Sequence, residues 1–113
     1  MDSELYLRGI RLFNSGAYFE AHEVLEDACR AAPTVEKKFL QGLIQVAVGL
    51  HHHKGNVVGA LSLLGRAARN LSSYPEDFGG IRLRELLDSI VQWERALAEG
   101  SSLPPLPQCV VDR

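Results

Sequence analysis

Apolar residues recur along this chain at helical spacing almost to its end, and no stretch alternates with the period of two that a half-buried strand needs. Leu5, Ile10, Leu12 and Phe13 form one side of a first helix, with Ser3 as its N-cap and Asn14-Ser15-Gly16 as its stop. A second helix covers about 17–32, with Tyr18, Ala21, Leu25 and Ala28 on one face. Pro33-Thr34 breaks it, and Thr34 is placed to cap a third helix that ends at Gly55-Asn56. The fourth carries Val57, Ala60, Leu61, Leu64, Ala67, Ala68 and Leu71 as a continuous stripe. Residues 72–80, with Pro75 and two glycines, read as the one substantial internal loop. A fifth helix presents Leu83, Leu86, Leu87, Ile90, Trp93 and Leu97. From Gly100 onward the Ser-Ser-Leu-Pro-Pro-Leu-Pro run cannot stay helical. The pattern predicts an all-α domain of about five helices over 1–99, followed by an extended tail over 100–113.

Shifting the chain by 39 residues superimposes Gly16 on Gly55, Ala21 on Ala60, Leu25 on Leu64, Ala28 on Ala67 and Arg30 on Arg69. About one such identity is expected by chance from composition. Helices one and two then form one antiparallel hairpin, three and four a related second, and the fifth closes the bundle. The spacing of Gly16, Tyr18, Ala21, Leu25, Ala28 and Pro33 resembles a tetratricopeptide helix pair, although an offset of 39 departs from that family's 34 and two hairpins are too few for a solenoid. Gly42 and Gly49, seven apart on the third helix, give a smooth strip for a close neighbour.

Composition narrows the class. The chain has 113 residues, 46% hydrophobic and 23% charged, with a formal net charge of −2. That suits one domain with its own core and excludes a general nucleic-acid binder, which carries a basic face. Cys29 and Cys109 fit neither a zinc ribbon nor a disulfide framework. Cys29 reads as a small apolar filler and Cys109 as an exposed thiol in the tail. The start lacks the basic and apolar runs of a signal peptide, and the most apolar stretch, 39–50, is too short to span a bilayer. A cytoplasmic protein with no membrane partner is expected.

The second helix concentrates the polar chemistry in Glu20, His22, Glu23, Glu26 and Asp27. His22, Glu26 and Cys29 follow one line beside the apolar stripe, while Glu20, Glu23 and Asp27 point away from it. A histidine and a carboxylate one turn apart can share a proton, hold a cation or orient a ligand. The same pair also serves as an ordinary helix-surface hydrogen bond, and Glu26 has Arg30 one turn on as a competing partner. His-Glu-x-x-Glu is not the zinc-protease motif, which needs a second histidine where Glu26 stands. On the third helix Gln41, Gln45 and His52 share a narrow polar stripe, and His51 falls beside Leu40 and Ile44. His51, His52 and His53 fan out by about 100° per residue and cannot all face one site. A metal site would have to draw on His22, Glu26, Cys29 and His52. No metal site or cofactor is assigned, and no catalytic motif is present.

Phe13-Asn14-Ser15-Gly16-Ala17-Tyr18-Phe19-Glu20-Ala21-His22-Glu23-Val24-Leu25-Glu26, then Phe39-Leu40-Gln41-Gly42-Leu43-Ile44-Gln45 and the His53-Lys54-Gly55-Asn56 turn, resemble the family called domain of unknown function 309. The resemblance covers roughly 5–71. It implies a small all-helical fold without an assigned activity, with motif positions at His22, Glu23, Glu26, Gln45 and His52. The family pattern usually has a tryptophan where this chain has Cys29, so a cysteine-containing metal site would be peculiar to this chain.

The expectation is a binding or protein-interaction module with a polar pocket between the second and third helices, built from His22, Glu23, Glu26, Gln41, Gln45 and His52. Its partner, protein or small molecule, is not named by these residues. Two alternatives stay open. The polar groups fix helix packing or a homodimer contact, or they perform acid–base or metal-assisted hydrolysis.

Overall fold

A computed structural model describes residues 1–111. Five helices follow one another: α1 (Ser3–Asn14), α2 (Tyr18–Ala31), α3 (Thr34–His52), α4 (Val57–Ser72) and α5 (Leu83–Glu99). A short 3₁₀ turn, Phe78–Gly80, precedes α5. Each helix packs mainly on its neighbours in sequence, α1 on α2, α2 on α3, α3 on α4 and α4 on α5. Among the described residues none belongs to a strand, and the one β-type pairing is an isolated antiparallel bridge between Ile81 and Val111.

The expected caps shift by one residue at two helix starts. Asp2, not Ser3, caps α1, its carboxylate accepting from the Leu5 amide at 3.0 Å. An acid there complements the positive end of the helix as well as satisfying one free N–H. Thr34 is the first helical residue of α3, preceded by Pro33, and makes no side-chain cap. Asn56 does cap α4, accepting from the Gly59 amide at 2.8 Å.

The repeat has a packing basis. Ala21 and Ala60, Leu25 and Leu64, and Ala28 and Ala67 are all buried in the core. The paired glycines differ, because Gly16 has a positive φ of 84° and Gly55 does not. Gly42 and Gly49 both face α4 as expected: a Cβ on Gly42 would stand 2.7 Å from Leu71 Cγ, and one on Gly49 would touch Leu63 and Leu64. These bare positions let the two helix axes close together.

Two segments outside the helices are firmly attached. The 72–80 loop folds inward through tilted and edge-on ring contacts, with Phe39 meeting Tyr6, Tyr74 and Phe78. The Tyr6 hydroxyl donates to the Gly79 carbonyl at 2.8 Å, where φ is +70°. The tail is extended but not loose. It runs between α1 and α5, and Cys109 is fully buried, reversing the expectation of an exposed thiol. The reason is Asn14, whose carboxamide accepts from the residue 109 amide and donates to its carbonyl, at 2.7 and 2.9 Å.

Among the described residues, no helix is long and apolar enough to cross a membrane.

Candidate functional site

Antiparallel packing sets the start of α2 against the end of α3, and the end of α2 against the start of α3. The seam between them is therefore lined by residues distant in sequence. Its first half is a cavity of about 90 Å³ formed by Tyr18, Phe19 and His22 from α2 with Val48, His51 and His52 from α3. Its second half is an open groove of about 470 Å³ formed by Glu26, Cys29 and Arg30 with Lys37, Gln41, Ile44 and Gln45.

One hydrogen bond joins the halves. His22 Nε2 lies 2.9 Å from Glu26 Oε1, with the side chains 25% and 45% exposed. A carboxylate oxygen accepts, so Nε2 carries a hydrogen, and in the neutral tautomer Nδ1 keeps its lone pair. Turn geometry puts this pair at i, i+4 on one line, and an exposed pair of this kind contributes about 0–1 kcal/mol to stability. Glu26 is free for it because Arg30 pairs with Asp27 instead, not with Glu26 as its one-turn spacing suggested.

The rings at the cavity touch one another. Phe19 stands 5.9 Å from His22 and 5.5 Å from His51 between ring centroids, and His51 meets His52 at 4.7 Å. Phe19 is nevertheless 52% exposed, leaving much of its ring on the surface. Behind it, burial and a smaller push from Cys109 raise the Tyr18 hydroxyl to about 12, so it is a neutral phenol at ordinary pH.

Fixed groups define the groove. Lys37 Nζ donates to the carbonyls of Cys29 and Arg30 at 2.8 and 3.3 Å, satisfying the free end of α2. Gln45 Oε1 accepts from Asn70 Nδ2 at 2.9 Å, so this glutamine ties α3 to α4 while its flank borders the groove. Ile44 and the half-buried Cys29 supply apolar floor.

The structure thus brings His22 together with His52 at one end, and Glu26 with Gln41 and Gln45 at the other. Glu23 is exposed and lines neither part. Among the described residues no three His, Cys, Asp or Glu side chains gather as ligands for a metal ion. Sequence reasoning missed Phe19 and His51. The signal was available, since Phe19, His22 and Glu26 stand at i, i+3 and i+7 on one helix line. Phe19 supplies an aromatic wall from the opposite end of the line to Cys29.

Two curated relatives each match well over half of the chain. An uncharacterized protein of Aquifex aeolicus (strain VF5) is 32% identical over 87 residues, which cover 75% of this chain and 26% of that protein. Uncharacterized protein YpuF of Bacillus subtilis (strain 168) is 38% identical over 82 residues, covering 66% of this chain and 47% of that one. The chain spans about a quarter and about half the length of these two relatives. The family model described as Domain of unknown function (DUF309) matches residues 6–63, which run from α1 into α4 and contain every residue lining the α2–α3 seam, and the chain belongs to that family.

Proposed function

We propose that this chain is a binding module whose α2–α3 seam captures a polar small molecule or a peptide side chain. The observation that carries this reading is the His22–Glu26 hydrogen bond, which joins a ring-lined cavity to a polar groove into one continuous surface. In it, Phe19 offers an apolar ring face, His22 offers Nδ1 as an acceptor, and Gln41 offers an exposed carboxamide. Sites of this make-up, apolar walls with a few convergent polar groups, suit orientation-specific binding.

A second reading has its own support at one position. The Gln45–Asn70 bond lies between α3 and α4, where fixing helix register is a sufficient role. Thermal unfolding of single alanine variants separates the two roles. His22→Ala and Glu26→Ala are expected to change stability by less than about 1 kcal/mol, the worth of an exposed pair. Gln45→Ala is expected to cost about 1–3 kcal/mol, because the half-buried Asn70 amide loses its acceptor. Losses of 3 kcal/mol or more for His22→Ala and Glu26→Ala would assign the whole seam to structure and overturn the binding reading.

A further inference from the structure

Charge accounting along the open groove singles out Glu26. Helix α2 carries four acids, Glu20, Glu23, Glu26 and Asp27, against one arginine. Two cations line the groove with Glu26, and both are committed elsewhere. Arg30 pairs with Asp27, and Lys37 Nζ donates to the carbonyls of Cys29 and Arg30 at 2.8 and 3.3 Å. The partner that Glu26 does have is His22, through Oε1 at 2.9 Å. An imidazole of ordinary pKa is neutral at about pH 8, so such a bond orients a carboxylate without cancelling its charge. Among the described residues no lysine or arginine pairs with Glu26. A half-exposed carboxylate thus stands unneutralised beside an open space of about 470 Å³ floored by Ile44 and Cys29.

Geometry narrows the cation that fits. A guanidinium grips a carboxylate best through both oxygens at once, whereas an ammonium is a compact point charge with rotatable donors. With Oε1 engaged by His22, the remaining oxygen suits the ammonium. The exposed carboxamide of Gln41 is a second acceptor in the same groove, while Gln45 Oε1 is already occupied by Asn70. Ile44 and Cys29 offer apolar surface for an alkyl stem, the way long cationic side chains rest on such surfaces.

We propose that the groove binds an alkylammonium group on Glu26, supplied by a free amine or by a lysine side chain, and that the Asp27–Arg30 pair keeps this carboxylate open. Arg30 stands one helical turn from Glu26, close enough to pair with it. Asp27 draws the guanidinium away; without that carboxylate, Arg30 turns to Glu26 and takes the ligand's place. The inference rests on the binding reading of the seam and names the class of its ligand.

The test is a titration of the ¹⁵N-labelled full chain at about pH 8, where ordinary histidines are neutral, and at constant ionic strength. The probes are n-butylammonium as a free amine and acetyl-lysine amide as a side chain, with acetyl-norleucine amide as the uncharged control and pentanoate as the anionic one. Saturable amide shifts at Glu26, Cys29, Gln41 and Ile44 are expected from the ammonium probes, with affinity about fivefold above the norleucine control, the upper worth of an exposed charge pair. Binding of n-butylammonium alone assigns a free amine, and binding of the lysine probe alone a side chain. Glu26→Gln keeps an acceptor for His22 but removes the charge, and should bring the ammonium affinity down to that of the control. Asp27→Asn should do the same, and adding Arg30→Gln should restore binding. Unchanged affinity in Asp27→Asn would overturn its positioning role. Equal binding of norleucine or pentanoate, or unchanged ammonium affinity in Glu26→Gln, would overturn the ammonium and leave the seam a binding surface. No shift at the seam with any probe would overturn both.

Discussion

His53 shows how far a single side chain's setting departs from what its neighbours in sequence suggest. Unlike His51 and His52 it turns away from the seam and meets Trp93 edge-on, with centroids 5.2 Å apart. Partial burial, reinforced by the adjacent Lys54 charge, lowers its pKa below the usual 6.5. The folded state thus resists protonation more than the unfolded chain does. Its contribution is complete above about pH 6.5 and is lost as the pH falls through the lowered value. The thermal midpoint should therefore decline between about pH 7 and 5, and His53→Gln should make that decline shallower; equal slopes for the two proteins would remove His53 as the cause. The fan of three histidines was legible in the sequence. Which ring meets which neighbour was not, because a helical wheel gives directions about one axis and not what stands there. The same gap hid Phe19 and His51, and set Arg30 against Glu26 where the structure pairs it with Asp27.

At the scale of elements, periodicity carried the reading well. Ala21, Leu25 and Ala28 are buried as their spacing predicts, and Gly42 and Gly49 face the helix that packs closest on α3. Caps were less legible, since Asp2 and Ser3 are both good cap residues and one-residue differences in geometry choose between them. Two glycines, one inside α3 and one in the turn that follows it, offer a direct check. Gly42→Ala gains up to about 1 kcal/mol of helix propensity. It also sets a Cβ 2.7 Å from Leu71 Cγ inside a filled core, and overpacking costs about 1–3 kcal/mol. A net loss of about 1–2 kcal/mol is expected. Gly55→Ala meets nothing within 4 Å and should stay within about 0.5 kcal/mol of the parent in denaturant unfolding. Equal effects at the two positions would show that the α3–α4 spacing does not depend on a bare strip.

Across the whole molecule, the features hardest to foresee are those that join distant parts of the chain. Asn14 reads as a helix stop, and it is one, but its carboxamide also holds a residue 95 positions away. Gly79 lies in a loop of turn-forming residues, yet its carbonyl anchors Tyr6, 73 positions away in the chain. Such pairings follow from helices already packed, and no local pattern encodes them. The α2–α3 seam is intermediate: its polar stripes were visible on each helix, while its division into a ring-lined cavity and an open groove came only from antiparallel packing. Binding at that seam is read out by titrating the ¹⁵N-labelled protein with a panel of small polar and aromatic fragments and mapping amide shifts. Saturable shifts gathered at Phe19, His22, Glu26, Gln41 and His52 are the predicted result. Shifts scattered over the surface, or none at the seam while other sites respond, would contradict it.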